Sequence, residues 1–400
     1  MTLTTLLTIL LYAASILLIW QFVGYPVLMA IFALKKREIF KDYTYQPPVT
    51  ILVPTFNEET VIEERIYNLF AQDYPLKKMD VIVVDSGSTD NTRQIVEKVM
   101  SENSFPLKLL AQKERKGKAS AINYGKENAQ YDIILVTDAN TIFVPEVLKE
   151  MMPYFKDPKI GAVGGRHTLP NYESSIASSN QFYLDLEFIM RSGESFLDSA
   201  CLFHGEINVW RKDIVNADER NLSEDLDMAI QIRRNGYKIE YEPKAIFYEP
   251  SPTNASDLIT QKKRTSVGTI SNIFKHIKYW IPPRNWYSGL IFPSHKGLAM
   301  FSPFLLLIIP VLFILIWNLD VILINLLFNL IIFIILFLLL LYLKSKLIKT
   351  IKTSGNQSFI KSSPKIIYYV LLNEYIILRA WIDFIFGKYS ILWEKVESTR

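Results

Sequence analysis

The sequence predicts an α/β fold with a largely parallel sheet, flanked by transmembrane helices, and three observations predict it. Between Tyr43 and about Pro250, short apolar runs alternate with helical stretches, the pattern of a parallel sheet covered on both faces. Polar segments follow each apolar run, where the carboxyl ends of strands would place ligand-binding loops. Charge is uneven: residues 1–34 carry none and residues 297–343 only Asp320, while the rest has the charge density of an ordinary soluble domain. A wholly soluble protein and a polytopic transporter are both disfavoured. The net charge of +4 is too small to imply nucleic acid. Cys201 is the single cysteine, which excludes intramolecular disulfides and cysteine-based zinc sites.

The apolar segments come first. Residues 3–34 are uncharged for longer than the ~20 residues that cross a bilayer, and they end in Lys35-Lys36-Arg37. A signal peptide has the reverse order. Positive charge after the span predicts an integral protein of the cell membrane, with its N-terminus outside and residue 35 onward in the cytosol. Two further apolar runs, 297–317 and 321–343, are split by Asn318-Leu319-Asp320, which reads as an outer turn. Lys344, Lys346 and Lys349 then return the chain to the cytosol. Residues 365–386 are apolar but contain Glu374, Arg379 and Asp383. Charges inside a span are expensive, so a helix lying in the interface or re-entering the bilayer is expected there. Residues 272–296 mix Trp280, Trp286, Tyr287 and Phe292 with Lys275, Lys278, Arg284 and Lys296, which suits a segment beneath the headgroups. The expected units are therefore a helix at 1–34, a cytosolic domain at 43–256, amphipathic helices at 257–296, two spans at 297–343, and a basic linker, membrane-associated helix and tail at 344–400.

Within the cytosolic domain, Val49–Val53 is the first strand, followed by a helix from about Glu58 to Ala71. Val81–Val84 precedes a helix from about Thr89 to Met100; Leu107–Leu110 precedes one from about Lys118 to Asn128. Ile133–Val136 and Ile160–Val163 complete the series. The strand ends carry Pro54-Thr55-Phe56-Asn57-Glu58, Asp85-Ser86-Gly87-Ser88-Thr89-Asp90, Lys116-Gly117-Lys118, Thr137-Asp138-Ala139-Asn140 and Gly164-Gly165-Arg166. Polar groups and two lysines on one rim would suit a nucleotide with a diphosphate. No GxxxxGK is present and no GxGxxG follows a strand, which disfavours P-loop and dinucleotide folds. Each segment also has a structural reading. Asp85-Ser86-Gly87-Ser88 can be a turn before a helix capped by Thr89 or Asp90; Asp138 and Asn140 can be turn formers, and Lys116 and Lys118 a solvated face.

Together these residues resemble the family 2 glycosyltransferases of the GT-A fold, and most closely the membrane-embedded cellulose, hyaluronan and poly-N-acetylglucosamine synthases. The resemblance covers about residues 49–270, the flanking membrane helices and the tail Trp393…Thr399-Arg400. Val53-Pro54-Thr55-Phe56-Asn57-Glu58 and Val84-Asp85-Ser86-Gly87-Ser88-Thr89-Asp90 look like the two nucleotide signatures, and Gly117-Lys118-Ala119…Asn123 like the family's GKxxAxN element. The resemblance implies that Thr55, Glu58 and Asp85 hold a uridine, with Pro54, Asn57 and Ser88 in the same signatures. It sets Lys118 against the diphosphate. Thr137-Asp138-Ala139-Asn140 occupies the DxD position, so Asp138 would join the nucleotide site and, with Asn140 in place of the second acid, bind Mg2+ or Mn2+. An amide oxygen binds a hard cation without adding charge.

Ser223-Glu224-Asp225 matches the family's T-E-D position, which makes Asp225 the general base by resemblance and sets Glu224 beside it. Ser223 as an N-cap, with Glu224, Asp225 and Asp227 favouring the helix dipole, is the competing account. Gln261-Lys262-Lys263-Arg264-Thr265 lies where processive synthases carry Q-x-x-R-W, which implies that Gln261 and Arg264 serve the acceptor and diphosphate. Thr265 replaces the tryptophan under the acceptor sugar. Phe203-His204-Gly205-Glu206 falls at the family's acceptor-entrance loop.

The implied enzyme is an inverting glycosyltransferase using a nucleotide-diphosphate sugar, UDP-linked by the resemblance, at the cytosolic membrane face. Its acceptor is a growing glycan, as in the polymer synthases, or a polyprenyl-phosphate or lipid-linked acceptor that receives a single sugar. Three spans make a thin channel, so polymer export would call for a second copy or a partner. A non-catalytic nucleotide-sensing subunit is the alternative of another class, supported only by Asn140 and Thr265.

Overall fold

The computed structural model describes residues 2–35, 41–170, 175–250, 252, 254–351 and 363–390. Lys36, Arg37, Trp393, Thr399 and Arg400 lie outside them. Among the described residues eight strands form one sheet: β1 (Val49–Thr55), β2 (Met79–Asp85), β3 (Leu107–Ala111), β4 (Ile133–Val136), β5 (Ile142–Phe143), β6 (Ile160–Thr168), β7 (Asn208–Arg211) and β8 (Lys238–Tyr248), in the order β3-β2-β1-β4-β7-β6-β8-β5. The first four are mutually parallel. Antiparallel β7 is inserted between β4 and β6, and β5 runs antiparallel along β8. The sheet is mixed and mostly parallel, the GT-A arrangement. β5, β7 and β8 are the strands that apolar runs alone do not reveal. In β8 the sequence Lys238-Ile239-Glu240-Tyr241-Glu242 looks like a polar surface segment, yet both glutamates are buried. Glu240 accepts from Ser195 Oγ, and Glu242 pairs with Lys41.

The helices follow in chain order: α1 (Leu3–Ile19), α2 (Tyr25–Leu34), α3 (Ile62–Phe70), α4 (Thr92–Glu102), α5 (Lys118–Glu127), α6 (Val147–Met151), α7 (Ser175–Leu197), α8 (Glu224–Arg234), α9 (Ala255–Lys275), α10 (Ile277–Trp280), α11 (Leu298–Ile316), α12 (Leu319–Ile351) and α13 (Ser363–Ile385). Side chains in a strand alternate between faces, and the two faces here feed two cores. Val49, Ile51, Val53, Val81 and Val83 pack under α3, α4 and α6. Leu52, Ile82 and Val84 join a core that continues through α7 and α8 to Val23, Val27 and Ala30 beside the membrane helices. Burial on both faces is why these strands are apolar throughout.

Among the described residues three helices are long and apolar enough to cross a membrane: Leu3–Ala33, Tyr287–Ile316 and Leu319–Leu347. The second begins at Tyr287, within the segment expected at the interface, because π-helical turns at Tyr287–Ile291 and Pro293–Gly297 run directly into α11. Asn318 Oδ1 accepts from the Val321 N–H at the start of α12, and Trp317 takes the left-handed conformation that closes the turn.

Close packing joins these helices to the sheet. At Gly193 of α7 an added Cβ would lie 2.2 Å from the Met29 carbonyl oxygen, so only glycine lets α2 and α7 approach this closely; overpacking of this kind costs about 1–3 kcal/mol. Beside it, His295 Nδ1 lies 2.6 Å from Glu194 Oε1 and Tyr25 donates to the same oxygen at 2.6 Å. Glu187 is paired with Arg191 and with Lys296, each at 2.9 Å. The charges of α13 are likewise engaged. Asp383 pairs with Lys263 at 2.7 Å, Ser302 Oγ donates to Glu374 at 2.8 Å, and Arg379 donates to the Tyr375 hydroxyl at 3.0 Å.

Candidate active site

Parallel register brings the ends of β1 and β2 together, with Thr55 opposite Asp85. The loops beyond them are joined by hydrogen bonds. The Asn57 N–H donates to Ser88 Oγ at 2.9 Å, the Thr89 N–H to Asn57 Oδ1 at 2.8 Å, and the Glu58 N–H to Thr92 Oγ1 at 2.8 Å. These bonds occupy the residues before α3 and α4, and both helices therefore start later than the apolar pattern suggests. Asp85 is fully buried; it accepts from the Gly87 and Ser88 N–H groups at 3.2 Å and from Arg93 Nε at 2.5 Å. Asp85, Asn57 and Ser88 thus shape the rim from behind. Pro54, Thr55, Phe56 and Glu58 line the cavity itself.

That cavity has a volume of about 530 Å3 and reaches from the β1 loop to α13. Lys118, at the first position of α5, is among its lining residues. Its Nζ lies 2.6 Å from Asp138 Oδ1 and 3.9 Å from Glu224 Oε1, and donates to the Gly205 carbonyl at 3.2 Å. Three segments distant in sequence therefore converge on one ammonium. Burial alone would lower its pKa, but Asp138, Glu224 and Glu206 outweigh that and raise it, so Lys118 stays charged.

Asp225 lines the same cavity one residue further along α8. Its pKa is raised to about 6, first by burial and then by the Glu224 and Glu206 carboxylates, against the opposing Leu226 N–H and Lys118. A carboxylate poised there is ionised at neutral pH yet basic enough to accept a proton. The Ser223 side chain makes no capping hydrogen bond to α8, which weakens the purely structural account. The start of α8 is instead pinned by α9. A Cβ on Gly268 would lie 2.7 Å from Ser223 Cβ, and Asn272 Nδ2 donates to the Ser223 carbonyl at 3.2 Å. This contact brings Gln261, Arg264 and Thr265 to the cavity wall. The Arg264 pKa is lowered by burial, in spite of the fields of Glu224, Asp225 and Asp138.

Asn140 is a further sequence-predicted site residue, after Asp85, Asn57 and Ser88, that lies outside the cavity lining. It is buried, its Nδ2 donates to Glu249 Oε1 at 3.1 Å, and it does not line the cavity, whereas Glu249 and Glu206 do. The cause is the amide itself: beside a carboxylate it donates, where a second aspartate would be repelled. The Glu249 pKa is raised well above the ordinary value by burial, then by Glu206 and Asp138. Among the described residues no group of three or more His, Cys, Asp or Glu side chains has metal-holding geometry. The oxygens of Asp138, Glu206 and Glu249 are nevertheless hard donors of the type that Mg2+ and Mn2+ take.

Sequence reasoning missed Glu249, at the end of a strand disguised by its charges. It also missed Arg115, whose guanidinium stacks on the Phe56 ring at 4.1 Å within the cavity. His204 lines the cavity, and burial, then Arg191 and His167, push its pKa well down, leaving it neutral.

Comparison with known proteins agrees with this geometry. The family model described as Glycosyl transferase family 2 matches residues 50–210, and that described as Glycosyl transferase family group 2 matches residues 133–347. The chain is 28% identical over 265 residues to a poly-beta-1,6-N-acetyl-D-glucosamine synthase of Staphylococcus aureus (strain COL), covering 61% of this chain and 63% of that protein. A synthase of the same description from Staphylococcus epidermidis is 25% identical over 226 residues, covering 55% and 54%. The chain thus spans less than two thirds of the length of these relatives. Among solved structures, the mannosyltransferase PcManGT from Pyrobaculum calidifontis, in complex with GDP-Man and Mn2+, superposes with a TM-score of 0.68 at 22% identity, over 95% of this chain and all of that one. That likeness shows the fold.

Proposed function

Because the chain belongs to glycosyl transferase family group 2, we propose that it transfers a sugar with inversion from a nucleotide-diphosphate donor to an acceptor presented at the cytosolic face of the membrane. The observation that carries this reading is the Lys118 ammonium, 2.6 Å from Asp138 and 3.9 Å from Glu224, in one cavity with Asp225. The rim of Pro54, Thr55 and Glu58, shaped by Asp85, Asn57 and Ser88, takes the nucleoside. Lys118 and Arg264 face the diphosphate, and Gln261 and Glu224 orient the acceptor.

The Asp225 carboxylate takes the proton of an acceptor hydroxyl as its oxygen attacks the anomeric carbon. The bond from that carbon to the diphosphate oxygen breaks on the opposite side, and the diphosphate leaves with the electron pair. Lys118 and Arg264 stabilise the charge that develops there. Asp138, with Glu249 or the Asn140 oxygen, would hold Mg2+ or Mn2+, which adds charge neutralisation at the diphosphate. A uridine nucleotide is the first donor to test, and a glycan or lipid-linked glycan the acceptor. The basic residues Lys344 and Lys346, in the last turns of α12 just beyond its apolar run, support a cytosolic site with the N-terminus outside.

Released nucleotide, measured across a panel of nucleotide sugars in the presence of Mg2+ or Mn2+, tests the reading. Turnover of one donor that disappears in Asp225→Asn supports it; no release from any donor overturns it.

A further inference from the structure

The cavity has a second cationic end that the donor reading leaves unused. Lys262, on α9, lines it two residues before Arg264, yet the two basic groups sit in different fields. Arg264 feels Glu224, Asp225 and Asp138, at the donor end. Lys262 feels Lys296 and Glu187, at the junction with the membrane helices. Among the described residues no carboxylate lies within ion-pair distance of Lys262. Its ammonium is held instead between two aromatic faces, 4.6 Å from the Tyr183 ring centroid and 4.7 Å from that of Tyr369. Both hydroxyls are engaged elsewhere: Tyr183 donates to Glu187 at 2.5 Å and Tyr369 to Asn180 at 2.7 Å. Two rings and no paired carboxylate, with Glu187 acting only through its field, leave a half-buried cation short of charge compensation. Burial, then Lys296, lowers its pKa to about 7, so a bound anion would be stabilised by recharging it.

The surroundings say what kind of anion fits. Toward the membrane side the wall gains apolar residues, Phe22 and Pro26 next to and in α2, Met300 in α11, Val370 and Ile377 in α13, interspersed with Gln21, Asn373 and Glu374, whose carboxyl is bonded to Ser302. Spans containing α2 and α11 are long and apolar enough to cross a bilayer. A soluble phosphate would meet hydrocarbon there, whereas an apolar tail bearing a phosphate would match both surfaces. The reacting sugar would then lie between Lys262 and Asp225, which line one continuous space.

We propose that Lys262, clamped by Tyr183 and Tyr369, is the subsite for the phosphate of a lipid-linked acceptor whose tail runs along the apolar wall toward the membrane. This rests on the glycosyltransferase reading above and names its acceptor class. The enzyme accordingly selects acceptors by an anion at the lipid junction as well as by the sugar at Asp225.

The test uses the full chain in lipid nanodiscs and three probes: a long-chain isoprenyl phosphate, the isoprenol of the same length, and inorganic phosphate. Binding is followed by the change in intrinsic fluorescence. The wild-type protein should bind the isoprenyl phosphate at least tenfold more tightly than the alcohol, and millimolar inorganic phosphate should not displace it. Lys262→Met should abolish that preference and Lys262→Arg should keep it. Equal affinity for phosphate and alcohol in the wild type overturns the proposal, as does displacement by inorganic phosphate, which would mark a free-anion site. UDP binding in the same preparation separates the two readings. With UDP bound and no lipid-phosphate preference, the subsite fails and the donor site stands; without UDP binding the donor reading fails, and the lipid preference still decides the subsite.

Discussion

Lys118 and Lys262 line the same cavity, and the difference between them separates its two ends. Lys118 lies among Asp138, Glu224 and the Gly205 carbonyl, and its pKa is raised. Lys262 lies between two tyrosine rings, and its pKa falls to about 7. The donor end is built from loops at the ends of parallel strands, joined by hydrogen bonds and balanced in charge. The membrane end is built from helix packing and aromatic faces, and its positive charge awaits a partner. The ammonium group is the same in both, and the environment decides whether it holds neighbouring carboxylates in place or recruits a ligand.

The largest effect expected at the donor end belongs to Asp225→Asn. Loss of a general base costs about 10²–10⁴ in rate, while UDP affinity should stay near wild type; turnover and binding measured side by side check this. Wild-type turnover would leave Asp225 a structural residue and remove the chemistry from that end.

Next comes Lys118→Met, which should weaken UDP binding by about 10–100-fold, since a charge-assisted hydrogen bond contributes roughly 1.5–3 kcal/mol. It should also lower the melting temperature, because Asp138 and Glu224 lose their shared counter-charge. An unchanged UDP affinity in calorimetry would show that Lys118 only balances its neighbours.

A pH profile sharpens the comparison without mutation. Turnover should fall about tenfold per unit below pH 6, as Asp225 takes up a proton. The sign for stability is opposite. Asp225 has an ordinary value of 3.8 and a native value of about 6, so the folded protein binds more protons between them, and this group's contribution to stability declines as pH rises through that window. Asp225→Asn should remove that part of the pH dependence of the melting temperature.

The smallest effect is expected from Asn140→Asp. A second carboxylate beside Asp138 should tighten Mn2+ binding by a few-fold, and in the metal-free protein it should lower the melting temperature by opposing Glu249. Titration calorimetry with Mn2+ reads the first, thermal unfolding the second. No change in either would remove position 140 from the metal site.

The parallel half of the sheet was legible because its strands are apolar on both faces and each ends in a polar loop; Thr55, Asp85, Lys118 and Asp138 could be placed on one rim from that alone. β8 was not, because Glu240 and Glu242 find buried partners in Ser195 and Lys41, which lie far away in sequence. α13 hides its packing in the same way: Glu374 and Asp383 look costly until Ser302 and Lys263 are seen beside them.

Periodicity and charge distribution reflect interactions between near neighbours, and these determined the fold class and the three apolar helices, while the candidate base rests on the family resemblance of Ser223-Glu224-Asp225. Tertiary structure alone decided that Asp85 supports the rim from behind, that Glu249 and not Asn140 faces the cavity, and that Lys262 has tyrosine rings where Lys118 has carboxylates. Charge state and exposure depend on which distant groups share a few ångströms of low-dielectric space, and no spacing along the chain encodes that distance.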